Sequence, residues 1–167
     1  MDVSNPTAPQ KVGSAADWGN VWGVRTIANG DTRTAYLAQD SRGLRVVDVS
    51  NPSAPTILGT CDTPGCAYAV AVGDDYAYVA DRGGVRSVDL TPISAPRDVG
   101  GSALPGYTRG VKLLGRRALV ADGEAGLRIV DLTDPTAPIE LGLANTPGES
   151  YAVDVADAVS CAANQKS

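Results

Sequence analysis

The chain has 167 residues, an apolar fraction of 43%, a formal net charge of −5, and neither histidine nor phenylalanine. The acidic balance and the lack of any Lys/Arg run argue against a nucleic-acid surface or an acidic membrane, because neutralising phosphates takes a clustered basic face. No stretch approaches the ~20 apolar residues of a membrane span, the opening MDVSNPTAP lacks the basic and apolar parts of a secretory leader, and without histidine neither a nucleophilic triad nor a zinc centre is expected.

The first segment already announces a repeat. Asp2 to Pro9 (DVSNPTAP) returns at Asp48 (DVSNPSAP), Asp89 (DLTPISAP) and Asp131 (DLTDPTAP), at spacings of 46, 41 and 42 residues. A period in this range with strand-like contents is that of a propeller blade or a related all-β repeat. The expected unit is a four-stranded antiparallel sheet, with repeats at roughly 2–47, 48–88, 89–130 and an incomplete 131–167, all within one region spanning 1–167. Pro9 to Ala15 is expected as an outer strand, followed by an inner strand at Trp22 to Thr26 and a further strand at Thr34 to Gln39. The second copy shows every element: Pro55 to Cys61, Tyr68 to Val72, Tyr76 to Asp81 and Val85 to Leu90, separated by TPGC, GDD and DRGG turns. Only Gly73, Asp74 and Asp75 separate two of these, so a tight hairpin is expected. The third copy repeats the inner pair at Arg109 to Leu113 and Arg117 to Asp122, and the fourth at Tyr151 to Val155 and Ala158 to Ala163.

About three complete blades and a partial fourth follow from this count. Two arrangements fit: a small incomplete ring of four, or an open fragment of a larger propeller. The fragment is the expectation, because the open ends of repeat arrays carry distinct capping sequence and none is visible.

YVAD-x-x-GLRVVDVSNPSAP followed by TPGxAYAVAV resembles the LVIVD repeat of bacterial and archaeal surface proteins, over Asp2 to about Val155, and is more distantly similar to YVTN-type propeller repeats. The resemblance implies a β-propeller in an extracellular or cell-surface protein, with no defined catalytic residues. Ile93 in the place of Pro52, and a fourth copy that decays after Val155, depart from the pattern.

Residues that recur in every copy are expected to be structural. Asp40, Asp81 and Asp122 end a strand and are expected to accept backbone N–H groups of a turn. Arg45, Arg86 and Arg128 are expected in ion pairs, blade to blade or strand to loop. Cys61 and Cys66 span one turn, where either a small disulfide or two free thiols fits. Residues that vary between copies are the better functional candidates. The turns at one mouth of the channel carry Asp17, Trp18, Asn20 and Trp22, then Tyr68, Tyr107, Arg109, Glu149 and Tyr151, with Arg42, Arg82 and Glu124 in the neighbouring turns. Aromatics and Arg are the types enriched in recognition hot spots, although Trp22 and Tyr68 could equally plug the channel as core.

The expected function is a non-enzymatic binding or scaffold segment that recognises a protein or glycan partner at this rim. Catalytic residues, metal and cofactor are not expected, and self-association or further repeats could complete the ring. The alternatives are a carboxylate-based hydrolase or lyase using Asp17, Asp122, Glu124 and Glu149, or a truncated product without independent activity.

Overall fold

The computed structural model describes residues 7–8, 10–14, 19–156 and 159–165, with backbone alone for 156 and 159–165. Three sheets of four antiparallel strands follow one another along the chain. The first blade holds β1 (Gly23–Asn29), β2 (Thr32–Ala38), β3 (Leu44–Asp48) and β4 (Thr56–Cys61). The second holds β5 (Ala67–Gly73), β6 (Tyr76–Asp81), β7 (Gly84–Asp89) and β8 (Arg97–Ala103); the third holds β9 (Gly110–Leu114), β10 (Arg117–Ala121), β11 (Leu127–Asp131) and β12 (Ile139–Ala144). A fourth sheet pairs β13 (Glu149–Ala156) with β14 (Val159–Gln165). In each complete blade, spatial order equals chain order, so every strand pairs with its sequence neighbour.

Local chemistry sets these boundaries. Gly73 pairs with Tyr76 across a two-residue turn, and Asp74 takes a positive φ of 50° there, which Asp tolerates better than most residues. The turns into the third strands use Gly43, Gly84 and Gly126 at φ values of +66°, +149° and +82°. A side chain at these positions would also collide with the outer-strand carbonyls of Cys61, Ser102 and Ala144. Each outer strand carries one extra residue, a bulge at Leu58, Val99 and Leu141, where the register slips against the third strand.

The blades bury their faces against each other. Leu44, Val46 and Tyr36 of the first blade pack on Val70, Val79 and Val88 of the second. Tyr78, Ala80 and Val85 of the second pack on Val111, Val120 and Val130 of the third, and Leu119 and Ala121 of the third pack on Val153 of β13. Strand β6, sandwiched between two layers, is buried along almost its whole length, which is why YAYVAD is a continuous apolar run and does not alternate. The blades also interlock at their outer edges, where Gly59 and Gly100 back onto the Ile93 and Thr136 carbonyls of the next blade with no room for a β-carbon. Gly13 stands in the same relation to the Pro52 carbonyl of the first blade.

One seam breaks the series. Val70, Val111 and Val153 hold one position of the inner strand and are 8%, 4% and 5% exposed, but Val24, at the same position of β1, is 63% exposed. The outer strand of the third blade also leaves Ile139, Leu141 and Leu143 exposed, at 64%, 52% and 55%.

One expectation needs correcting. Of the strand expected over Pro9 to Ala15, the structure describes residues 10–14, and these form only an isolated bridge at Gln10. A ladder there needs a third strand as neighbour, and the fourth sheet has two among the described residues. Of the two alternatives for Cys61 and Cys66, the structure has the second: both are free thiols. Cys61 is buried in the first interblade layer, near Asp98 and Arg86, whereas Cys66 lies beside the Asp40 carboxylate.

Candidate functional site

The inner strands β1, β5, β9 and β13 stand around a single channel of about 520 Å³, whose walls run from Trp22 to Arg25, Tyr68 to Val72, Arg109 to Leu113 and Tyr151 to Val155. Equivalent positions therefore form rings of four. At the mouth the ring is Trp22, Tyr68, Arg109 and Tyr151. Below it lies a ring of small residues, Gly23, Ala69, Gly110 and Ala152, and deeper a ring of Arg25, Ala71, Lys112 and Asp154.

The mouth ring is a continuous stack. Trp22 and Tyr68 have ring centroids 6.0 Å apart with planes at 53°. The Arg109 guanidinium lies 5.3 Å from the Tyr68 centroid and 5.0 Å from that of Tyr151, so it sits between two aromatic rings. Its backbone N–H is fixed by the Ala121 carbonyl at 2.8 Å, which anchors the start of β9. Arg109 makes no ion pair with any described residue, and its Nε is buried without a hydrogen-bond partner. Trp22 is 59% exposed and Tyr151 40%, and Tyr68 is half-buried, so Trp22 lines the opening and does not plug it. The Glu149 carboxylate beside Tyr151, together with some burial, raises the phenol's pKa, and Arg109 opposes that shift.

Deeper in, Lys112 Nζ lies 3.1 Å from Asp154 Oδ1 across the gap between the third and fourth sheets, and this pairing holds the Asp154 carboxyl below its ordinary range. Arg25 has no ion-pair partner among the described residues.

The matched residues of the family model now decide kinship. The LVIVD repeat matches residues 1–17, 34–63, 64–99 and 105–146. The chain belongs to the LVIVD repeat family. This LVIVD chain is also similar to the crystal structure of the computationally designed Ika4 protein, with a TM-score of 0.70 at 9% identity over 95% of this chain and 94% of that one. It is similar to the designed Ika8 protein, with a TM-score of 0.64 at 10% identity over 85% of this chain and 42% of that one. At such identities the likeness speaks for the fold alone. No curated protein matches in sequence. Together the repeats and the blade-like sheets make this a propeller-type repeat module.

The rim expected from the LVIVD sequence divides. Trp22, Tyr68, Arg109 and Tyr151 come together, with Glu149 beside them. Arg82 and Tyr107 form a separate pair, Nη2 to the phenol oxygen at 3.4 Å and Cζ 5.1 Å from the ring centroid, along a neighbouring groove. Asn20 reaches Asp40 at 3.5 Å. Arg42 and Glu124 lie in the β2–β3 and β10–β11 turns, away from the channel walls, and Asp17 and Trp18 fall outside the described residues. Arg25, Lys112 and Asp154 were missed. Their signal was a charged residue inside an inner strand, in the same alignment column where the second copy has Ala71.

The recurrent residues are spent on structure. Asp122 is fully buried; its Oδ1 accepts the Thr108 hydroxyl at 2.7 Å and its Oδ2 the Gly106 N–H at 3.0 Å, with Arg128 Nε at 3.8 Å. Asp81 accepts the Gly65 N–H at 2.9 Å. The donors thus sit in the turn that precedes the inner strand and tie it to the end of the next strand. Arg86 grips Asp98 with two hydrogen bonds of 3.0 and 2.7 Å, and Arg128 reaches Glu140 at 2.7 Å. These pairs join the third and outer strands of one blade, not blade to blade or strand to loop. Among the described residues no cluster of His, Cys, Asp or Glu could hold a metal ion.

Proposed function

We propose that this chain is a non-enzymatic binding or scaffold module that takes a protein or glycan partner at the channel mouth. One observation carries the reading: four inner strands bring Trp22, Tyr68, Arg109 and Tyr151 together as one stack with Trp22 and Tyr151 exposed, while the positions that recur identically are absorbed in the fold. Exposed aromatics beside an arginine with no ion-pair partner among the described residues form the kind of surface that concentrates binding energy. The hydrolase or lyase alternative draws less support, since Asp122, one of its four acids, is sealed from solvent and fully engaged. The cell-surface or exported setting rests on the family resemblance.

The test is a double variant, Trp22→Ala with Tyr151→Ala, screened against arrays of glycans and envelope proteins. Binding by the parent should vanish in the variant while the β-type circular dichroism stays the same. A binding profile that survives both truncations would remove the mouth from consideration.

A further inference from the structure

The channel is cationic in an acidic protein. Its walls carry Arg25, Arg109 and Lys112 against Asp154, with the Glu149 carboxylate beside Tyr151 at the rim, whereas the whole chain carries −5. Lys112 spends its charge on Asp154. Arg25 and Arg109 have no carboxylate among the described residues, so two of the three cations are available to a ligand.

Arg109 is also prepared for one. The guanidinium carbon lies over the rings of both Tyr68 and Tyr151, 5.3 and 5.0 Å from their centroids. A guanidinium in contact with two rings, and with no ion-pair partner among the described residues, offers a carboxylate its N–H fork, which binds through two parallel hydrogen bonds. The entropy of ordering the long side chain has already been met in the free protein. Next to this fork lies the exposed ring of Tyr151, and beyond Tyr68 in the same ring of four that of Trp22, which favour a ligand with a flat, partly apolar face over a compact ion. A volume of about 520 Å³ is that of a small-molecule site and exceeds what an inorganic anion fills. Arg25 follows Trp22 by three residues, about 10 Å along an extended strand, where it can meet a second acidic unit.

The geometry points to an acidic sugar as the ligand: a uronate unit with its carboxylate on the edge of Arg109 and its ring against Trp22 or Tyr151. This rests on the channel mouth being the binding surface, and it adds the chemical class of what binds there.

Isothermal titration calorimetry of the full chain tests it with trigalacturonate, a neutral galactose trisaccharide, and inorganic phosphate at matched ionic strength. Trigalacturonate should bind at least tenfold more tightly than the neutral trisaccharide, and phosphate should not displace it. Arg109→Gln should weaken the acidic ligand at least tenfold more than the neutral one, and Arg25→Gln, at an exposed position, should weaken the acidic one a few fold. If R109Q does not fold, R109K keeps a cation between the rings but lacks the fork, and should show the same discrimination loss. Equal affinity for acidic and neutral sugars, or an R109Q or R109K variant indistinguishable from the parent, overturns the acidic-sugar assignment while leaving the channel-mouth reading standing. Full displacement by phosphate reduces the site to an oxyanion site and overturns the sugar. No binding of either trisaccharide overturns it too, and the Trp22/Tyr151 screen then decides separately whether the mouth binds anything.

Discussion

Truncating one repeat position in two blades separates what repetition writes from what packing uses. Val24 and Val111 occupy the same place in the inner strands β1 and β9, yet Val111 is 4% exposed, in the layer between the second and third blades, and Val24 is 63% exposed at the seam. Val111→Ala removes two methyl groups from that layer, at about 0.8 kcal/mol each by transfer. The unfilled space adds to this, for a total of about 2 kcal/mol. In a domain of this size that lowers Tm by about 4–8 °C. Val24→Ala loses mostly hydrated surface and should cost about 0.5 kcal/mol or less. Urea titration followed by far-UV circular dichroism gives both values. A V24A cost near that of V111A would show that the β1 face is covered in solution and refute the open seam; if that cost grew with protein concentration, the cover would be a second molecule. A V111A cost as small as that expected for V24A would refute the interblade layer itself.

Asp122→Ala should destabilise by about 3 kcal/mol, because it strands the Thr108 hydroxyl, the Gly106 N–H and part of the Arg128 charge in a sealed site; the urea midpoint reads this directly, and a loss under about 1 kcal/mol would mean that water reaches the site. Asp81 has the opposite character: burial raises its carboxyl pKa despite the Gly65 N–H, and Oδ1 makes no proper hydrogen bond. A carboxyl whose folded pKa is raised penalises folding fully above that pKa and not at all below the unfolded value, so Asp81→Asn should gain stability over the parent as pH rises through the folded pKa, and a flat difference between pH 3 and 7 would contradict this. Asp48, Asp89, Asp131 and Asp134 run the other way. Their carboxylates are held low mainly by Ser50, Thr91, Thr133 and Thr136 at the strand ends, and their contribution fades as pH falls through the depressed values. In a Cys161→Ser background, iodoacetamide should modify Cys66 well before Cys61, because Cys61 is buried and Cys66 is not, while both thiols are pushed up in pKa, Cys61 by desolvation and Cys66 by the Asp40 carboxylate; equal rates under native conditions would place Cys61 at the surface.

The sequence by itself determined the unit. The recurrence of Asp48, Asp89 and Asp131 with their proline-bearing tails, and the short Gly and Asp turns between apolar runs, specify four strands, their order and their hairpins, because turn geometry and strand burial are local properties. It also marked Trp22, Tyr68, Arg109 and Tyr151, since they vary where neighbouring copies agree. It did not show which of the variable residues meet. Arg82 and Tyr107 stand in turns, outside the inner-strand column shared by Trp22, Tyr68, Arg109 and Tyr151, and they meet along a side groove while that column lines the channel. The partners of Arg86 and Arg128 were hidden for a related reason: Asp98 and Glu140 lie twelve residues away on the adjacent strand, and only sheet register brings them within reach. Tertiary structure alone decided the fate of equivalent residues. Val24 and Val111 are one letter in one pattern, and whether that letter is core or surface depends on which face a neighbouring blade covers.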